Sequence, residues 1–221
     1  MNDEYLIRKA FVTDNSFIVE TMIAAEKSGT EKFGLSTLFN IYEPEIKKLL
    51  MRCLNEESSG CEFSLSSFLI AEYSGKPVAA AAGWIEKFET NNSSRTIKTN
   101  LMHFVFPKEN ILIAHSNSDI AKDLLIEREK NTLQIEYVYT HNKYRGKGLA
   151  GRLINQHITI SRDKYPGLTK AQIQVFNNNQ SAKRGYEKSG FKPIRLFTSV
   201  SKETLKYLPY NEKLLMEKVL K

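Results

Sequence analysis

The chain has 221 residues, 41% of them hydrophobic and 26% charged. These are ordinary proportions for a chain that buries a sizeable core, and the length suits one domain, residues 1–221, better than two. A formal net charge of +7 fits a basic surface or the attraction of a polyanion, either a nucleotide-like cofactor or nucleic acid. No stretch approaches the roughly 18 apolar residues of a membrane span, and residues 1–9 lack the apolar run of a signal peptide. Cys53 and Cys61 do not have metal-ligand spacing, and His103, His115, His141 and His157 do not cluster with carboxylates, so no metal site is expected. Two unpatterned cysteines fit a reducing compartment, and a cytoplasmic protein is expected.

Residues 5–9 read as a first strand. Thr13 and Asp14 are helix-start residues, and Ile18, Met22 and Ala25 follow at helical spacing before Gly29 and Gly34 break the chain. The clearest helical period comes next. Pro44 is tolerated in a first turn, and Ile46, Leu49, Leu50, Cys53 and Leu54 then recur at i, i+3, i+4, i+7 and i+8. Residues 67–73 and 78–87 read as two strands joined by the turn Ser74-Gly75-Lys76-Pro77. Ala79 to Ala82 and Gly83 leave the second strand without bulk, which fits either a ligand or backbone passing close by, or a tightly packed core strand. Residues 88–130 carry no clear period. Residues 91–94 are loop-like, and Ser118 or Asp119 starts a short helix carrying Ile120, Leu124 and Leu125.

From residue 133 the pattern sharpens. Leu133, Ile135, Tyr137 and Tyr139 alternate with Gln134, Glu136 and Val138 in a strand over 133–140. A loop over 141–144 leads into a helix with Leu149, Leu153, Ile154, His157 and Ile158 on one side, where His157 reads as a satisfied helix histidine. Pro166-Gly167 ends it, and residues 171–176 form the next strand. Strand, helix and strand make a crossover unit, so the two strands are expected to be parallel. A short helix over 180–189 and strands over 192–199 and 212–219 complete the chain. The fold expected is α/β (α+β), a mixed central sheet of about six to seven strands flanked by helices.

Between the crossover strand and its helix lies Arg145-Gly146-Lys147-Gly148-Leu149-Ala150-Gly151. Glycines at such a junction let the backbone approach a ligand closely. The first turn of the helix offers N–H groups without helical partners and a partial positive charge. With Arg145 and Lys147 beside it, the turn is an anion site suited to a phosphate or pyrophosphate. Gly146-x-Gly148-x-x-Gly151 also satisfies the dinucleotide-binding fingerprint. That reading calls for an acidic residue about 20 positions on, at the end of the second strand, where this chain has Val175-Phe176-Asn177-Asn178-Asn179. A Walker phosphate loop would need G-K-[ST], which is missing here.

Arg145-x-x-Gly148-x-Ala150 matches the pattern R/Q-x-x-G-x-G/A. Downstream, Asn179-x-x-Ala182-x-x-x-Tyr186-Glu187-Lys188-x-Gly190-Phe191 matches N-x-x-A-x-x-x-Y-x-x-x-G-F. With a strand ending in Tyr139-Thr140 five residues before Arg145, residues 133–193 resemble the GNAT family (GCN5-related N-acetyltransferases). The N-terminal half fits the family's order of strand, helices and hairpin, and the 88–130 segment is longer than the connection many members have. The resemblance implies transfer of an acetyl group from acetyl-CoA to a primary amine by direct attack on the thioester. It implies a splayed strand 133–140 whose Val138, Tyr139 and Thr140 bind the pantetheine arm, with the Tyr139 N–H as oxyanion donor. Arg145, Gly146, Lys147, Gly148, Leu149 and Ala150 would hold the pyrophosphate. Asn179 would contact the cofactor, and it is also a natural helix N-cap.

By the same resemblance, Tyr186 is the general acid, with a core aromatic as the plain alternative. Glu136 is the general base acting through water, with a solvent-facing or salt-bridged glutamate as the alternative. Residues 28–57 and 88–130 would form the acceptor pocket, for a small-molecule or peptide amine. No nucleic-acid partner is expected, because the basic residues are spread along the chain, and a homodimer is compatible with the resemblance. The competing function is a non-catalytic acyl-CoA-binding module.

Overall fold

The computed structural model describes residues 5–56, 58–88 and 91–220. Its strands are β1 (Leu6–Lys9), β2 (Phe68–Tyr73), β3 (Lys76–Ile85), β4 (Leu133–Thr140), β5 (Lys170–Phe176), β6 (Lys192–Thr198) and β7 (Glu212–Val219). They form one sheet in the order β1-β2-β3-β4-β5-β7-β6. Among the described strands only the β4–β5 pair is parallel, as the crossover unit between them requires. The helices are α1 (Asn15–Lys27), α2 (Gly34–Phe39), α3 (Glu43–Asn55), α4 (Ser94–Val105), α5 (Lys108–Ser116), α6 (Ser118–Ala121), α7 (Leu149–Lys164), α8 (Gln180–Lys188) and α9 (Thr204–Tyr207). None of the described helices is long and apolar enough to cross a membrane.

The sheet is buried on both faces. On one, Ile18 and Met22 of α1, Leu50 and Cys53 of α3 and Leu101 and Val105 of α4 pack on Ile70, Ala80, Ala82 and Trp84. On the other, Ile154 and Ile158 of α7 pack on Leu133, Ile135 and Ile173. The small residues of β3 belong to this packing. The ring of His157 on α7 lies so close that a Cβ on Gly83 would stand 2.5 Å from its Nδ1. Its Nε2 donates to the Ala81 carbonyl at 2.9 Å. The lack of bulk in β3 therefore admits a helix side chain.

Three local expectations change. The β2–β3 turn is the two-residue Ser74-Gly75, with φ of 49° and 75°, and Lys76 already pairs with Tyr73. Positive φ at both positions matches the twist of a tight hairpin. Gly34 starts α2 instead of breaking the chain. The segment without a clear period holds α4, α5 and α6. There Ser93 caps α4 by accepting from Thr96 N at 3.1 Å, and the buried Glu86 accepts from Ser94 N at 3.0 Å. Residues 1–4, 57, 89 and 90, on which parts of the expectations fall, lie outside the described residues.

Candidate active site

β4 and β5 pair only through Leu133–Ala171, Gln134–Gln172 and Ile135–Ile173. Beyond that point β4 stays with β3 as far as Thr140, and β5 stays with β7 as far as Phe176. The two strands diverge, and the backbone of residues 136–140 faces a gap in the middle of the sheet.

A bulge shapes the lip of this gap. The β3–β4 register shifts between Ala80 and Ala82, and Tyr137 has a φ of 52°, a conformation bulky residues rarely adopt. One extra residue in β4 changes which side chains face which helix layer. Leu133 and Ile135 pack toward α7. Tyr137 packs toward α1 and donates from its hydroxyl to Glu26 Oε1 at 3.2 Å. Glu136 lies on that same side, and Val138 turns back toward Leu149 and Leu153. Tyr139 again faces α1, with its hydroxyl 3.3 Å from Glu20 Oε1.

The gap is a cleft of about 110 Å³ that passes between the two helix layers. Val138, Ile173, Val175, Asn179, Ala182 and Tyr186 line its α8 side. Glu26, Ser28, Glu136, Tyr137, Phe176 and Lys213 line its α1 side. Asn179 caps α8, its Oδ1 accepting from Ala182 N at 3.1 Å. Tyr186 is buried, and burial together with the Glu136 charge pushes its phenol well above the usual tyrosine range.

The glycine turn lies where β4 runs into α7. Arg145, Gly146, Lys147 and Gly148 are exposed, and Leu149 is buried beneath them. Gly146 and Gly148 have φ of 79° and 73°, and a Cβ on either would meet nothing within 4 Å. Glycine is needed at these two positions for backbone conformation, and the space above the amides is open. Gly151 has a different role: a Cβ there would stand 3.3 Å from Ser189 Oγ, so the glycine lets α7 approach the end of α8. Arg152 N closes the first turn of α7 on the Gly148 carbonyl at 3.1 Å, leaving the preceding amides without helical partners. The Arg145 side chain folds back, its Nε donating to the Thr140 carbonyl at 3.3 Å.

Behind Glu136 lies a buried charge cluster that the sequence reading missed. Arg128 donates to Glu136 Oε1 from Nε at 3.1 Å and from Nη2 at 2.5 Å. The same Nη2 reaches Glu62 Oε1 at 3.0 Å, and Lys98 donates to that oxygen at 2.5 Å. The guanidinium lies over the Trp84 ring, 5.1 Å from its centroid. Burial alone would push the Glu62 carboxyl up, but Arg128 and Lys98 outweigh it and hold the group below the usual carboxylate range. Glu62 gives no sequence signal, since it stands between buried Cys61 and Phe63. Among the described residues none of 88–130 lines the cleft: that segment acts behind it, where Arg128 and Lys98 hold Glu136 and Glu62, and of residues 28–57 Ser28 alone joins the lining, beside Ala25 and Glu26.

Glu26 and Lys213 were also missed. Glu26 continues the i, i+4 series Ile18–Met22 by one more turn, and a charge on an apolar stripe is the signal that could have revealed it. Lys213 alternates in β7 with the buried Leu214 and Met216, so it shares the face of its neighbour Phe176.

The acetyltransferase (GNAT) family model matches residues 35–191, more than half of the 221. No curated protein matches the chain in sequence. Solved structures share its fold. An N-acetyltransferase from Staphylococcus aureus Mu50 is 14% identical with a TM-score of 0.66, covering 96% of this chain and 99% of that one. A Salmonella typhimurium protein solved with its cofactor acetyl-CoA is 15% identical with a TM-score of 0.55, covering 99% and 95%. The aminoglycoside acetyltransferase AAC(6')-Ib, in complex with coenzyme A, is 15% identical with a TM-score of 0.53, covering 98% and 95%. The chain belongs to the acetyltransferase (GNAT) family and is an acetyl-CoA-dependent N-acetyltransferase.

Proposed function

We propose that residues 1–221 act as one N-acetyltransferase unit, in the cytoplasm, that moves the acetyl group of acetyl-CoA onto a primary amine by direct attack. The observation that carries this reading is the divergence of β4 from β5 directly before the open glycine turn. The turn and the cleft together offer an anion site followed by a strand edge, the order in which a pyrophosphate and then a pantetheine arm need partners. In this reading Arg145, Gly146, Lys147, Gly148, Leu149 and Ala150 hold the pyrophosphate. The backbone of Val138, Tyr139 and Thr140 takes the arm, and the Tyr139 N–H faces the oxyanion. Asn179 spends its Oδ1 on the helix cap, so its cofactor contact falls to the amide Nδ2.

The chemistry then needs three proton movements. An alkyl ammonium has a pKa near about 10.4 and must lose a proton before its nitrogen attacks the thioester carbon. Both Arg128 bonds fall on Oε1 of Glu136, which leaves Oε2 to take that proton through a water. The C–N bond forms, the C–S bond breaks, and the nitrogen sheds its second proton to solvent. The departing sulfur gains a proton from Tyr186, which is replenished from solvent.

Gly148→Val tests the donor site. A β-branched residue cannot easily hold a φ near 73°, and its side chain would fill the space above the amides. Calorimetric titration with acetyl-CoA should show binding to the native chain and none to the variant, with the circular dichroism spectrum retained. Equal affinity for the two proteins rules the site out.

A further inference from the structure

The α1 side of the cleft carries two charges that face each other without touching. Glu26 stands at the end of α1 and Lys213 on β7, and both line the cleft. Lys213 is the charge acting most strongly on Glu26, and Glu26 the one acting most strongly on Lys213. Among the described residues they nevertheless form no ion pair within 4.0 Å. Glu26 is held from the β4 side by the Tyr137 hydroxyl. The Lys213 ammonium is held over the Phe176 ring, 4.9 Å from its centroid. The other charges acting on Glu26 are Lys98 of α4 and Glu136 of β4, and each is already bound within the Glu62–Arg128 cluster.

The two walls differ in sign. On the side toward β4, where the thioester would lie, Glu26 of α1 meets the Tyr137 hydroxyl and shares the cleft with Glu136. The β7 wall, farther from β4, has Lys213. Opposite charges held apart across a narrow cleft leave neither paired among the described residues, and a ligand bearing both signs serves both at once. Resting on the acetyltransferase reading above, we propose that Glu26 and Lys213 select the acceptor, and that it is a small amine carrying a carboxylate, of the amino-acid class. Its ammonium lies toward Glu26, next to the strand edge where attack occurs, and its carboxylate lies toward Lys213. A polyamine or aminoglycoside would leave Lys213 facing another cation, which the same geometry disfavours. A cleft of about 110 Å³ suits the head group of a small acceptor.

The test is a turnover screen, read by free thiol release, of three acceptor groups: the common L-amino acids, their carboxamides, and spermidine. At least one amino acid should be acetylated about 10-fold or more faster, in kcat/KM, than its amide and than spermidine. Lys213→Met should lower kcat/KM for that amino acid roughly 10-fold and shrink the acid-to-amide preference. Glu26→Gln keeps an acceptor for the Tyr137 hydroxyl, so it should fold, and it should lower kcat/KM for acid and amide alike. Acetyl-CoA affinity, measured by calorimetry on each variant, separates the two layers of the argument. If acetyl-CoA binds but no amino acid is turned over, or the amides and spermidine do as well, or Lys213→Met leaves the preference intact, the acceptor assignment is wrong. If the native chain does not bind acetyl-CoA, the donor reading beneath it is wrong instead.

Discussion

Tyr186 shows how a residue's surroundings limit the role its position suggests. Its phenol is buried beside the Glu136 charge, and both raise its pKa. The proton is therefore always present, but giving it up is harder than for a free phenol. A thiol releases its own proton near pH 8.5, roughly, so in the reaction proposed above the transfer from Tyr186 to sulfur runs uphill and adds only modestly to the rate. Tyr186→Phe should slow kcat by about 10-fold, at or below the low end of acid–base contributions, with acetyl-CoA affinity unchanged in calorimetry. An unaltered kcat would remove Tyr186 from the chemistry and leave it as packing. The position of Tyr186 was legible from the spacing Asn179–Ala182–Tyr186. Its altered acidity was not, because that depends on its burial in the fold and on Glu136, 50 residues away in the chain.

The element scale is where sequence and structure part most clearly. α3 and α7 are legible because each lays an apolar stripe on the sheet: Ile46, Leu49, Leu50, Cys53 and Leu54 in one, Leu149, Leu153, Ile154, His157 and Ile158 in the other. α5 has no buried residue among those described, so no period marks it. α4 does bury Leu101, Met102 and Val105, but exposed Phe104 and the inward-pointing Lys98 blur the pattern. What α4 and the stretch after it do is tie the buried carboxylates in place, through Lys98 and Arg128. Arg128→Met would leave Glu136 and Glu62 short of a partner in a dry environment. Removing one member of a buried ion cluster should destabilise the fold by roughly 3 kcal/mol, read as a lower urea midpoint at an unchanged m-value. A loss below about 1 kcal/mol would mean the guanidinium is solvated and the cluster contributes little.

For the whole molecule, α7 seats a histidine against the sheet, and this makes global stability depend on pH. Burial pushes the His157 imidazole down to about 4, against an ordinary value of 6.5, with the Ala81 carbonyl opposing part of the shift. Below pH 6.5 the unfolded chain takes up a proton that the folded chain refuses until about pH 4. Stability from this group is therefore complete above pH 6.5 and falls as pH drops through that window, by roughly 3 kcal/mol in all. Urea unfolding at about pH 7 and about pH 4.5 should show the loss, and His157→Gln, which keeps a donor for Ala81, should flatten it. Equal slopes for the two proteins would mean the ring is protonated in the fold.

The local signals by themselves determined the crossover β4–α7–β5, the open turn with glycines at 146 and 148, and the membership these motifs suggest. All of these are written within about 60 consecutive residues, where period, turn chemistry and helix-start geometry act locally. The tertiary structure decided the rest. The divergence of β4 from β5 depends on which neighbour each strand keeps. The bulge at Tyr137 turns Glu136 and Tyr137 to the same face. The facing of Glu26 and Lys213 joins the second helix turn from residue 18 to the last strand. Such charges are placed by the packing of distant elements, and a linear pattern does not record which of them share a dielectric. The open glycine turn could therefore be read from the chain alone, and the facing charges of the cleft only from the fold.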